Sequence, residues 1–195
     1  MSLDPRMEFQ HVNVKMFVAG ELGFDPSRFI NAFHQWIQAQ AMPEMLIDVA
    51  DYCHVPDGPG VLLVAHEADY SMDHTDGRWG LRYNRKATIS GSNDDRFRQA
   101  LSAAASACCR LEEDFAADGL HFGRTEFEVF INDRALAPNT PETSASFKSE
   151  LSGCLTKLLG HSKFTLQLPR DPRQRVDAVV TTAQPFDLKA LAQVP

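Results

Sequence analysis

Three segments of this chain alternate apolar and polar side chains residue by residue, and that period of two constrains the fold more than any other feature. In residues 9–18 ("FQHVNVKMFV") Val12, Val14, Met16 and Val18 fall on one side and His11, Asn13 and Lys15 on the other. In residues 78–86 ("RWGLRYNRK") Arg78, Arg82, Asn84 and Lys86 oppose Trp79, Leu81 and Tyr83. In residues 125–133 ("TEFEVFIND") Phe127, Val129 and Ile131 oppose Glu126, Glu128 and Phe130. Each reads as a strand with one buried and one wet face. Joined in one sheet, they require an apolar cover on one side. The other side would show His11, Asn13, Lys15, Arg82, Asn84, Glu126 and Glu128.

Amphipathic helices supply the cover. Near residue 25, Asp25 suits a cap and Pro26 the first helical position, and Phe29, Ile30, Phe33 and Ile37 then recur at helical spacing up to about Gln40. Ser92 with Asp95 three residues on is a variant capping box, followed by a stripe of Phe97, Leu101, Ala104, Cys108, Leu111 and Phe115. Thr140 and Pro141 open a third helix that Gly160 stops. Between the first two helices, residues 45–52 and 61–70 are rich in strand formers and are separated by the turn signal Pro56-Asp57-Gly58; Asp76-Gly77 marks the next turn. Residues 163–168 and 175–182 read as two last short strands, separated by a turn-like segment, and the tail after Pro185 has no assigned structure.

The order is β-α-β-β-β-α-β-α-β-β. It predicts an α+β fold: a mixed, mainly antiparallel sheet of six to seven strands with three amphipathic helices on one face. Residues 1–195 read as a single domain. An alternative is a pseudo-repeat of a β-α-β-β unit over 9–70 and 125–182, since strand, X-Pro helix and strand pair occur twice in that order. The letters themselves scarcely match.

The formal net charge of -7 repels a phosphate backbone and disfavours nucleic acid as the main partner. The longest apolar run, "VLLVA", is far below the roughly 20 residues of a membrane-spanning helix, and no signal peptide opens the chain. A soluble cytoplasmic protein is expected. Whether Met1 to Leu3 are native, or whether the natural start is Met7, is open. Cys53, Cys108, Cys109 and Cys154 form no Cys-x-x-Cys pair and read as reduced thiols. A redox role for Cys108 and Cys109 is a third-ranked idea.

Two sites deserve weighing. The polar sheet face offers Arg82, Asn84, Lys86, His11 and Lys15 as binding residues for a small anionic ligand, or as an oligomer interface. The hairpin ends gather His54, His66, His74 and a carboxylate from Asp51, Asp69 or Asp73, groups that suit a divalent metal such as zinc, manganese or iron. Their spacing matches no established metal motif: the fifth position after His66-Glu67 is Tyr70, not histidine. Nucleophile elbows and Gly-rich phosphate loops are also missing from the chain. The leading expectation is therefore a non-catalytic binding or assembly module, a homo-oligomer or a holder of a small anion. The alternative is a metal-dependent enzyme with a His/Asp site at the hairpin ends. Neither expectation names a cofactor beyond that metal, which is not favoured.

Overall fold

A computed structural model of the chain describes residues 7–169, 171 and 173–194. Met1 to Leu3 lie outside them. Eight strands and four helices follow in the order β1 (Val12–Val18), α1 (Arg28–Ala39), β2 (Leu46–Tyr52), β3 (Gly60–Ala65), β4 (Ala68–Asp73), β5 (Gly80–Arg85), α2 (Asn93–Asp114), β6 (Phe122–Ile131), α3 (Pro141–Leu159), β7 (Phe164–Gln167), β8 (Asp177–Thr182) and α4 (Leu188–Ala192). All strand pairs are antiparallel, in one sheet of order β2-β3-β4-β5-β1-β6-β8-β7. The α+β class holds, with one strand and one helix more than the sequence predicts.

The additional strand comes from a turn the sequence does not announce. Residues 61–70, expected as one strand, fold into a hairpin that reverses at His66 and Glu67, with Val64 opposite Asp69. The turn contains no Gly or Pro, and neither residue has a positive φ. Neighbouring strands hold it instead. His66 N–H donates to the Met45 carbonyl (2.9 Å), the Glu67 carboxylate accepts from Met45 N–H (3.1 Å), and the Glu67 carbonyl accepts from Lys86 and Ala87 N–H (2.9 and 3.0 Å). The additional helix, α4, is capped by Asp187, which accepts from Lys189 and Ala190 N–H. It packs on α2, where the Ser102 and Ser106 hydroxyls donate to the Ala192 carbonyl (3.1 and 3.3 Å).

Local chemistry sets the other boundaries. The Ser92–Asp95 capping box forms in both directions, and Thr140 caps α3. Asp25 accepts from Ser27 N–H (2.9 Å) as a cap does, and a tight turn in which Arg28 and Phe29 N–H donate to the Asp25 and Pro26 carbonyls leads into the regular helix, which begins at Arg28. The first strand begins at Val12 and not at residue 9, since His11 takes φ 54.

The two halves of the sheet share a path. From β1 the chain crosses by α1 to the outer edge and returns through β2–β5 to pair with β1, then enters α2. From β6 it crosses by α3 to the other edge and returns through β7–β8 to pair with β6, then enters α4. The second half is one hairpin shorter.

One face of the sheet carries the core. Val14, Met16, Leu63, Tyr70, Met72, Leu81, Tyr83, Phe127, Val129, Ala178 and Val180 pack there against Phe29, Phe33 and Trp36 of α1, Phe97, Leu101 and Cys108 of α2, and Phe147 and Leu151 of α3. Within that core the Glu44 carboxylate accepts from the Tyr70 and Tyr83 hydroxyls (2.6 and 3.1 Å), and Gln99 donates to Tyr83. The carboxylate and both hydroxyls are thus paired, as desolvation demands, whereas Gln99 Oε1 is buried without a partner among the described residues. Among the described residues no helix is long and apolar enough to cross a membrane.

Gly60 opens β3 with φ +62, and a Cβ there would sit 2.0 Å from the Met72 carbonyl oxygen. Gly60→Ala is expected to lower the unfolding free energy by about 2 kcal/mol or more. Gly23→Ala, which meets nothing within 4 Å, should stay within about 0.5 kcal/mol of wild type. Urea denaturation of both variants checks the pair.

Candidate functional site

Register builds the opposite face. Ser71, Arg82, Lys15, Glu128, Val179 and Gln167 lie directly opposite one another on β4, β5, β1, β6, β8 and β7, forming one row across six strands. Beside it runs a second row of Asp69, Asn84, Asn13, Phe130 and Asp177. Adjacent unlike charges on such rows attract across strands.

The row is anchored by a buried ion pair. Lys15 Nζ donates to Asp73 Oδ1 (2.6 Å) and to the Thr75 carbonyl (2.9 Å), and both side chains are almost wholly buried. Asp73 also accepts from the Thr75 N–H (3.1 Å) and hydroxyl (2.9 Å), and Arg82 Nη1 stands 3.6 Å away. Gly80 makes the crossing possible: a Cβ there would press on the Lys15 stem at 3.1 Å and on the Met16 carbonyl oxygen at 2.6 Å.

Two phenylalanines on this face belong to no part of the core. Phe17 and Phe130 are 7% and 1% exposed, and arginines cover them. Arg78 lies 3.7 Å from the Phe17 ring centre; Arg175 and Arg82 lie 3.5 and 4.9 Å from that of Phe130. Guanidinium on an aromatic face is favourable stacking. The same arginines close ion pairs, Arg78 with Glu126 (2.6 Å) and Arg175 with Glu128 (3.1 Å).

Between these groups opens a groove of about 440 Å³. Its floor is Lys15, Phe17, Glu126, Glu128, Asp177 and Val179. One rim is the turn from Thr75 to Arg78, and the other is Gln167, Leu168, Pro169 and Gln174. Among the described residues the lining holds four acids, Asp76, Glu126, Glu128 and Asp177, against two cations, Lys15 and Arg78. Burial, and then the neighbouring Glu128 charge, push the Asp177 carboxyl up to about 6, with Arg175 opposing.

Of the five binding residues expected from the sequence, the structure sets Lys15 and Arg82 side by side in the anchored row. The rest lie toward the opposite end of β1 and β5. Asn84 faces Asn132 (3.5 Å), Lys86 beyond β5 donates to Asp69 and to the Ala65 carbonyl, and His11 stands 3.6 Å from Asp133. Sequence reasoning missed the pairing of Asp73 with Lys15, having weighed Asp73 as a metal carboxylate, and it missed Arg175 and Asp177. The last two sit on the polar side of the alternation in residues 175–182, so the signal was there; nothing local pairs Asp73 with Lys15, 58 positions away.

The proposed metal ligands are dispersed. His54, in the β2–β3 turn, and His74, after β4, lie at one end of the sheet, whereas His66, in the β3–β4 turn, lies at the other, roughly 20 Å away along a six-residue strand. His54 stacks on Tyr52, His74 on Trp79, His66 faces Glu67, and Asp51 accepts from Cys53 N–H. Among the described residues no three or more His, Cys, Asp or Glu side chains are grouped to hold a metal ion. Cys108 is fully buried, and burial raises its thiol and that of Cys109, which disfavours the reactive thiolate.

Lys15→Met would strand Asp73 in a buried site with only Arg82 as a distant counter-charge; a loss of about 3 kcal/mol is expected by chemical denaturation. Asp177 has a different signature. Its folded carboxyl keeps a proton up to about 6, whereas an unfolded aspartate loses it near 3.9, so stability falls as pH rises between those values. Asp177→Asn should therefore melt above wild type at pH 8, with the gap closing by pH 4, as calorimetry would show. No protein-family model and no curated protein sequence matches this chain.

Proposed function

We propose that this chain is a non-catalytic binding module whose site is the open-face groove, and that its ligand is a polar molecule bearing an amine or guanidinium. One observation carries the reading: the sheet is covered by helices on one face, while the other presents a groove whose described lining includes Asp76 and Asp177, two acids with no ion-pair partner among the described residues. A small anion, the expectation from the sequence, suits this balance poorly, because Lys15 is already neutralised by Asp73 and Arg78 by Glu126. Asp177, half-buried beside Glu128, gains most from an incoming cation. Location in the cytoplasm belongs to the same reading, supported by four cysteines that form no disulfide.

Thermal-shift titration with spermidine and agmatine, against citrate and phosphate, tests the reading. The amines should raise the melting temperature of wild type and not of Asp177→Asn or Glu128→Gln, and the anions should leave it unchanged. A citrate shift, or amine shifts that survive both substitutions, would reverse it. Light scattering alongside detects the assembly version: a dimer dissolved by Arg78→Glu would make this face an interface between copies.

A further inference from the structure

We infer that the outer edge of β2 is a docking site for an extended segment of another protein in which basic and apolar side chains alternate. This strand terminates the sheet: its inner side pairs with β3, and among the described residues no strand pairs with its outer side. At seven residues it is longer than the four-residue strand at the other edge. Exposed edges of this length are templates for strand addition.

The edge is also the greasiest exposed part of the molecule. Met45, Ile47, Tyr52 and Val55 are 55%, 54%, 40% and 40% exposed, and among the described residues only Leu136 joins them as an exposed large hydrophobic side chain. A bulge between Leu46 and Asp48 turns Ile47 out of the regular alternation.

Charge selects the occupant. Residues 29–77 contain eight Asp and Glu and no Lys or Arg, which leaves the rest of the chain with 19 Lys and Arg against 18 Asp and Glu. Of these eight acids, Asp48 and Asp51 lie on β2 itself, whereas Asp69 and Asp73 are paired with Lys86 and Lys15, Glu44 with the Tyr70 and Tyr83 hydroxyls, and Asp76 lines the groove. Asp48 and Asp51 are exposed and accept from the backbone N–H groups of Val49 and Cys53 (2.8 Å each); three positions apart, they lie on opposite faces of β2, so a segment with Lys at alternate positions meets one or the other according to its register. A second copy of this chain would bring a strand that carries aspartates and no lysine or arginine, and so offers no counter-charge. Aspartates and a bulge keep an edge from pairing with itself; they do not repel a strand that brings cations. An anionic lipid surface or a nucleic acid would be repelled.

The test uses the full chain, isotopically labelled, and a short capped peptide alternating Lys with Val and Thr, with a twin carrying Glu for Lys. The Lys peptide should slow amide exchange in β2, and its affinity should fall with added salt and by about tenfold in Ile47→Lys and in the double variant Asp48→Asn, Asp51→Asn. Leu136→Lys should bind as wild type, and all variants should melt close to it. Equal binding of the Glu twin, undiminished binding by Ile47→Lys, or absence of β2 protection at peptide saturation or at the solubility limit would each overturn the proposal. So would a dimer, seen by light scattering, that Ile47→Lys dissolves, because the occupant would then be a second copy.

Discussion

A lysine that crosses a glycine to reach a buried aspartate holds the open face together. Lys15 lies on the central strand, Asp73 two strands away, and the intervening Gly80 supplies no side chain to block the path. Because neither charge is solvated, each depends on the other and on the Thr75 turn that completes the coordination of the carboxylate. The turn thus fixed is one wall of the groove. Arg82, Arg175 and Arg78 then take positions set by Phe130 and Phe17 beneath them and by Asn13, Glu128 and Glu126 beside them.

The core face was legible because hydrophobic burial imposes a period that a single chain displays openly. Val14, Met16, Leu81, Tyr83, Phe127 and Val129 point inward as their alternation requires, and Phe33, Phe97 and Phe147 meet them from helices whose caps are written at Ser92 and Thr140. The hairpin at His66 was not legible, since its reversal is stabilised by Met45 and Lys86 from flanking strands and not by turn residues of its own. The short α4 escaped for a related reason: five residues do not sustain a helix alone, and Ser102 and Ser106 of α2 complete it.

The site was legible in part. Periodicity located Lys15, Arg82, Glu126 and Glu128 on a common face, and register brought them into neighbouring positions. What periodicity cannot express is which charges cancel. Lys15 looks available to an anion when read along its own strand, yet Asp73, from a segment 58 positions on, neutralises it. His54, His66 and His74 look close in sequence for the opposite reason: consecutive hairpins send alternate turns to opposite ends of a sheet.

The arginines that plate Phe17 and Phe130 carry a thermodynamic corollary. Long cationic side chains on a surface ordinarily sample many rotamers, and immobilising one on association costs roughly 0.5–1.5 kcal/mol. Here ring stacking from below and a carboxylate at the tip have already restricted Arg78 and Arg175. An association built on these walls would therefore forfeit less side-chain freedom than one built on unpaired arginines.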